Sequence, residues 1–159
     1  MKIRSSALGF TLMELILVIV LLSILSLFAA SRFMGSSSFS AYTLQERVIS
    51  VIRQVQVNRM QSNVASPDNN FRLQVSSSCV GSVAACALTG NTQDARSDVV
   101  IDKSAKFSVI SGAANTINFN LLGNPVSGAV NILIEDKHGR SRCQVEINTQ
   151  GYVSKGTCS

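Results

Sequence analysis

Residues 10–31 read FTLMELILVIVLLSILSLFAAS, an unbroken apolar run with one charge, Glu14. A helix rises about 1.5 Å per residue, so this run matches a hydrocarbon core of about 30 Å. The whole chain has 159 residues, of which 46% are hydrophobic and only 14% charged. Soluble domains carry about a quarter charged residues, so the excess apolar character is concentrated in this one run. A disordered chain, a polytopic membrane protein and a collagen-like repeat are excluded. An ordinary cytosolic enzyme would have to bury the run inside a very small body. Lys2 and Arg4 precede it and Arg32 closes it. Positive charge marks the cytoplasmic flank, which puts the short leader inside and the rest of the chain outside.

Hydropathy alone leaves two plain readings open. One is a secretory signal peptide cut near Ala29-Ala30-Ser31, although such apolar regions usually span ~7–15 residues and hold no carboxylate. The other is a simple single-pass anchor, although an acidic group near hydrocarbon costs about 2.5 kcal/mol or more. An intramembrane carboxylate marks a functional site and needs a partner.

Gly9-Phe10-Thr11-Leu12-Met13-Glu14 follows a short basic leader and opens the apolar run. This arrangement resembles the processing site of type IV pilins and type II secretion pseudopilins: a Gly before the cut, a Phe after it, and a Glu at the fifth position of the mature chain. The resemblance implies cleavage between Gly9 and Phe10 by a prepilin peptidase and N-methylation of Phe10. It implies no catalytic role for Glu14. A methylated amine stays basic and can pair with a carboxylate one turn along a neighbouring helix, which relieves the cost of burying that carboxylate. The charges cancel only at one axial offset, so Glu14 is expected to set assembly register.

Beyond Arg32, Ala41, Leu44, Val48, Val51, Ile52 and Val55 recur at three- and four-residue spacing. Gln45, Glu46, Arg47, Ser50, Arg53 and Gln54 fill the other side. That is an amphipathic helix with one face covered. It is expected to end near Asn63, before the breaker Ser66-Pro67-Asp68-Asn69-Asn70. Gly35-Ser36-Ser37-Ser38 are poor helix formers and predict a soft joint. The rest reads as β, with short runs at 71–75, 99–102, 107–110, 116–121, 130–135, 143–147 and 152–154, the last three forming an antiparallel meander. The expected fold is α+β: a cleaved leader over 1–9, a long helix over 10–64 that is transmembrane at about 10–31, and a periplasmic antiparallel head over 65–159 packed on the upper half of the helix.

The order Ile117-Asn118-Phe119, Gly123, a strand, His138-Gly139-Arg140, a strand, then Gln150-Gly151-Tyr152-Val153 is similar to the ending of H-type minor pseudopilins. Over the whole chain, and especially over 10–64, the sequence looks like a minor pilin of the mannose-sensitive haemagglutinin (MSHA) pilus system. The resemblance implies a minor pilus subunit that waits in the inner membrane, head in the periplasm, before entering a filament. Its implied partners are the prepilin peptidase, other major and minor pilins, a platform protein and an assembly ATPase. A minor pseudopilin of a secretion system is the alternative, and a soluble secreted binding protein with a signal peptide a more distant one. Many type IV pilins carry a Pro near the expected joint; this chain has none before Pro67.

The four cysteines, Cys79, Cys86, Cys143 and Cys158, all lie on the expected outer side. Their spacing does not suit zinc, and the single His makes a mixed site improbable on composition. An oxidising compartment favours disulfides. Three pairings are possible; Cys79–Cys86 and Cys143–Cys158 are favoured because each closes a local loop, worth ~2–3 kcal/mol. The second resembles the C-terminal disulfide loop of many pilins.

No nucleophile elbow or phosphate loop is present, and no enzymatic activity, cofactor or metal is expected. His138 falls in a turn and reads as a solvated loop residue. Asp98 and Asp102 could line a calcium site but read better as solvated acids. Residues 65–159 carry eight basic and seven acidic groups. So nearly neutral a head shows no nucleic-acid footprint.

Overall fold

A computed structural model describes residues 11–33, 40–112 and 114–159. The chain divides into two compact units, 1–36 and 37–159.

Within the first unit lies helix α1, Leu12–Phe33. Its large apolar side chains from Leu12 to Leu25 are all exposed, by 41% to 76%. Ser23 and Ser26 donate to the carbonyls of Ile19 and Leu22 at 2.7 Å, so their hydroxyls need no outside partner. Such back-bonding is how a helix carries serine in an apolar solvent. Positions 12–26, where side chains are described, amount to about 22 Å of helix. Among the described residues no helix is long and apolar enough to cross a membrane.

The second unit opens with α2, Ser40–Gln61. The expected helix ran to 64; it stops at Gln61. Ser62 N–H turns back to the Arg59 carbonyl at 3.2 Å, and Asn63 adopts a left-handed φ of 47°, the usual way a helix ends without glycine. The expected joint at Gly35–Ser38 lies outside the described residues.

The antiparallel β head expected from sequence consists of two four-stranded antiparallel sheets. The first has the order β3-β2-β1-β5, from Arg72–Val75 (β1), Cys79–Ser82 (β2), Val99–Ile101 (β3) and Thr116–Asn118 (β5). The second has the order β4-β6-β7-β8, from Ala105–Ser111 (β4), Val130–Asp136 (β6), Arg142–Ile147 (β7) and Val153–Cys158 (β8). Two short helices, Val83–Cys86 (α3) and Asn91–Asp94 (α4), lie between β2 and β3. Strand β5 stops at Asn118, not Leu121, because a tight loop begins at Asn120.

Helix α2 packs on both sheets. Val48, Ile52 and Val55 are fully buried against Leu73, Val80 and Ile117 of one sheet and Ile132, Ile134 and Val145 of the other in one continuous core. Strand β6 alternates buried and half-buried residues along its length, the period-two signature of a sheet with one covered face. Disulfides join Cys79 to Cys86 and Cys143 to Cys158, with Cα atoms 6.0 and 4.1 Å apart. The second ties β8 to its neighbour β7.

Asp98 is not a solvated acid. It is 5% exposed and forms a two-pronged ion pair with Arg96, at 2.8 and 2.7 Å. Burial pushes its carboxyl up, but the hydrogen bonds from Arg96 and Ser82 and the adjacent guanidinium outweigh burial and hold it below the usual carboxylate range. The Asp98 carbonyl also accepts from Ser82 N–H, so the pair locks β2 to the segment entering β3. A carboxyl with a lowered folded value stabilises fully above its unfolded value of about 3.9 and loses that stabilisation as pH falls through the folded value. Asp98→Asn should therefore destabilise the head by about 1–3 kcal/mol near neutral pH. Denaturant unfolding should show the gap between variant and native protein closing below about pH 4.

Candidate functional site

Of the three residues expected to serve processing and assembly, Gly9 and Phe10 lie outside the described residues. Glu14 is exposed in the first turn of α1. Its N–H donates to Thr11 Oγ1 at 3.2 Å, and Leu15 N–H takes the Thr11 carbonyl. Thr11-Leu12-Met13-Glu14 is thus a Thr-x-x-Glu helix start. A carboxylate there is favoured by the positive end of the helix dipole. The sequence reading missed Thr11, although its spacing to Glu14 is the signal for such a cap. Glu14 thus stands at the end of an uncovered apolar helix and has no ion pair among the described residues.

In the head, four polar side chains of α2 reach backbone carbonyls of the sheets and loops. Gln45 Nε2 donates to the carbonyls of Gln144 and Gly156, at 2.7 and 3.2 Å. These flank the register shift between β7 and β8, where a bulge interrupts the ladder and leaves backbone groups needing partners. Arg53 donates to the Val153 carbonyl at 2.9 Å. Arg59, only 3% exposed, donates to the carbonyls of Phe119, Val64 and Ala65 and to Ser62 Oγ. No carboxylate pairs with it among the described residues. Gln45 was read from spacing as part of the solvated side; it is buried.

Gln56 joins two loops of the same construction. In one, Asn120 Oδ1 accepts from the N–H groups of Leu122 and Asn124, while Asn120 N–H meets the Asn124 carbonyl. In the other, Asn148 Oδ1 accepts from Gln150 and Tyr152, while Asn148 N–H meets the Tyr152 carbonyl. Each Asn-x-x-Gly-x loop turns through a glycine with positive φ, 81° at Gly123 and 79° at Gly151. Gln56 Nε2 donates to both glycine carbonyls, at 2.9 and 2.8 Å. A Cβ at Gly151 would come within 2.4 Å of the Gly123 oxygen, so the loops meet back to back and admit no side chain.

This clasp holds the far end of α2 against the head. Beside it is a cavity of about 250 Å³ lined by Arg53, Gln56, Val57, Met60, Leu122 and Gln150 among others. Leu122, Val126 and Tyr152 stand exposed on the loops. His138, at the opposite end of β7, is exposed in its hairpin.

The sequence matches no protein-family model and no curated protein. Among solved structures, the chain is similar to the type IV minor pilin FimU of Pseudomonas aeruginosa, with 9% identity and a TM-score of 0.49, over 77% of this chain and 92% of that one.

Gln56→Leu removes both bonds while keeping the side chain's bulk. It should cost about 1–3 kcal/mol in denaturant unfolding, since two buried carbonyls lose their donor. Amide exchange should quicken in 119–124 and 148–152 and stay unchanged at β6. Uniform acceleration across the head would show that the amide is not a local clasp.

Proposed function

We propose that this chain is a minor subunit of a type IV pilus-like filament, cleaved between Gly9 and Phe10 and N-methylated on Phe10. The observation that carries this reading is α1. It is an apolar helix uncovered along its described side chains, it begins at a Thr-x-x-Glu start, and its one carboxylate, Glu14, stands in the first turn. Exposed apolar surface on this scale calls for lipid or for other helices like it. A subunit that passes from a bilayer into a helix-packed filament meets both in turn.

In this reading the apolar segment that follows the cut anchors the protein in the inner membrane, with the head in the periplasm. A platform protein and an assembly ATPase extract it, and major and minor pilins receive it. Glu14 meets the amine of a neighbouring subunit. Its place is at or near the start of the filament, with other minor subunits, in a system of the MSHA kind used for surface attachment. The support for a minor, H-type head is the glycine pair at 123 and 151, which the ending motif contains and the Gln56 clasp requires. A minor pseudopilin of a secretion system would use the same helix and head; loss of exoprotein release, with fibres intact, would favour it.

N-terminal processing tests the reading. Intact mass should show loss of residues 1–9 and one added methyl, and sequencing should begin at Phe10. Gly9→Val should block maturation, because a branched side chain crowds the peptidase. A mature chain beginning at Arg32 would instead identify a cleaved secretory signal peptide.

A further inference from the structure

Strand registers bring three links to one end of the head. Cys79 lies opposite Ile101, and Ala105 opposite Asp136. The β1–β2 turn, the β3–β4 link and the β6–β7 hairpin therefore adjoin. Phe107 N–H takes the Ser77 carbonyl, and Lys137 N–H takes the Ser104 carbonyl. Helix α2 begins at this same end: Gln45, near its start, reaches Gln144 and Gly156, whereas Gln56 and Arg59 reach the loops at the far end.

A cavity of about 350 Å³ opens between these links, lined by Ser77, Ser78, Lys103, Ala105, Lys106 and Lys137. All three lysines are exposed, and none of their ammonium groups has an ion pair or hydrogen bond among the described residues. The nearby carboxylates do not answer them. Asp102 accepts from the N–H and hydroxyl of Ser104, Glu135 pairs with Arg142, and Asp136 is buried. Arg140 adds a fourth exposed cation on the hairpin. The head is nearly neutral in sum, yet it gathers unpaired ammonium groups at one end, where packing makes no use of them.

We infer that this end is a docking surface for the anionic phospholipid headgroups of the bilayer that holds α1. The inference rests on the membrane-anchored reading above. Residues 34–39 alone separate α1 from α2, a reach of at most about 25 Å fully extended. Helix α2 begins at the end of the head that carries the lysines, so that end is the one nearest to α1 along the sequence. Phosphate oxygens accept from lysine ammonium and serine hydroxyl alike. Each lysine near an anionic surface favours the bound head by about five-fold, an attraction that salt screens within ~8 Å at physiological strength. Docking would hold a waiting subunit's head on the bilayer, and extraction into a filament would release it.

The chain has no tryptophan, so one can be placed as a reporter. Full-length protein carrying His138→Trp is reconstituted in vesicles containing a lipid with a spin-labelled headgroup. Tyr152→Trp, at the opposite end of the head, serves as the control. In equal parts phosphatidylcholine and phosphatidylglycerol, the Trp at position 138 should be quenched and the Trp at 152 should not. High salt, pure phosphatidylcholine, or Lys103→Gln with Lys106→Gln and Lys137→Gln should each relieve the quenching. The triple variant should shift the bound-to-free ratio about a hundred-fold, at about five-fold per lysine. Equal quenching in neutral and anionic vesicles, or a triple variant that behaves as the parent, would overturn the inference. Alkaline extraction of the same vesicles reports the anchor separately. A chain stripped from them refutes the anchored reading itself, whereas an inserted chain without charge-dependent quenching refutes lipid docking alone.

Discussion

An apolar helix with no covered face is stable only where its surroundings are apolar, and α1 is such a helix along its described side chains. That constraint separates it from α2, which has the same length, 22 residues, and an opposite solution. The stripe of α2 is buried under two sheets, and four of its polar side chains reach backbone carbonyls. Ser23 and Ser26 of α1 bond their own helix and ask for no such cover. Its one carboxylate, Glu14, stands where the helix dipole favours it, whereas in the hydrocarbon of the proposed function a carboxylate is costly. The proposed function follows from this conflict, because a cation supplied by a neighbouring helix would resolve it.

In the head, α2 and both sheets form one body around a continuous core. Rigidity there comes less from the apolar stripe, which any amphipathic helix would offer, than from directional bonds at fixed points. Gln45 mends the β7–β8 bulge, Gln56 clasps two twin loops, and Arg59 ties the helix end to the strand-to-loop segment at Phe119. A buried guanidinium without a carboxylate is costly unless its donors are met. Here carbonyls and a serine hydroxyl meet them. These bonds fix α2 in rotation and axial position on the sheets, which packing of similar aliphatic side chains alone would leave less determined.

The apolar face of α2 and the alternation of β6 were legible in the sequence because each element reports its own burial through its own period. Strand β2 was not. It is four residues long, contains Gly81, and is buried throughout between β1 and β3, so no alternation marks it. Gln45 and Gln56 look solvated by their polarity, because their partners are carbonyls 67 to 111 residues away and carry no sequence signature. Asp98 misled for a related reason: the pairing with Arg96 depends on a bend that the spacing does not announce. The twin loops were visible only as turns. Their common Asn-x-x-Gly-x pattern becomes meaningful once one side chain is seen to touch both. The lysines at 103, 106 and 137 were diluted in a nearly neutral total and converge only through strand register.

The central claim is that Glu14 serves contacts between subunits and not the fold of its own chain. Incorporation of Glu14→Val into sheared filaments, quantified by mass spectrometry against the unaltered protein, tests it most directly. The variant should insert, be processed and keep its disulfides, since removing a costly charge favours the membrane state. It should nevertheless be depleted from filaments, because the neighbour's amine has lost its partner. Incorporation at the level of the unaltered protein would contradict the account.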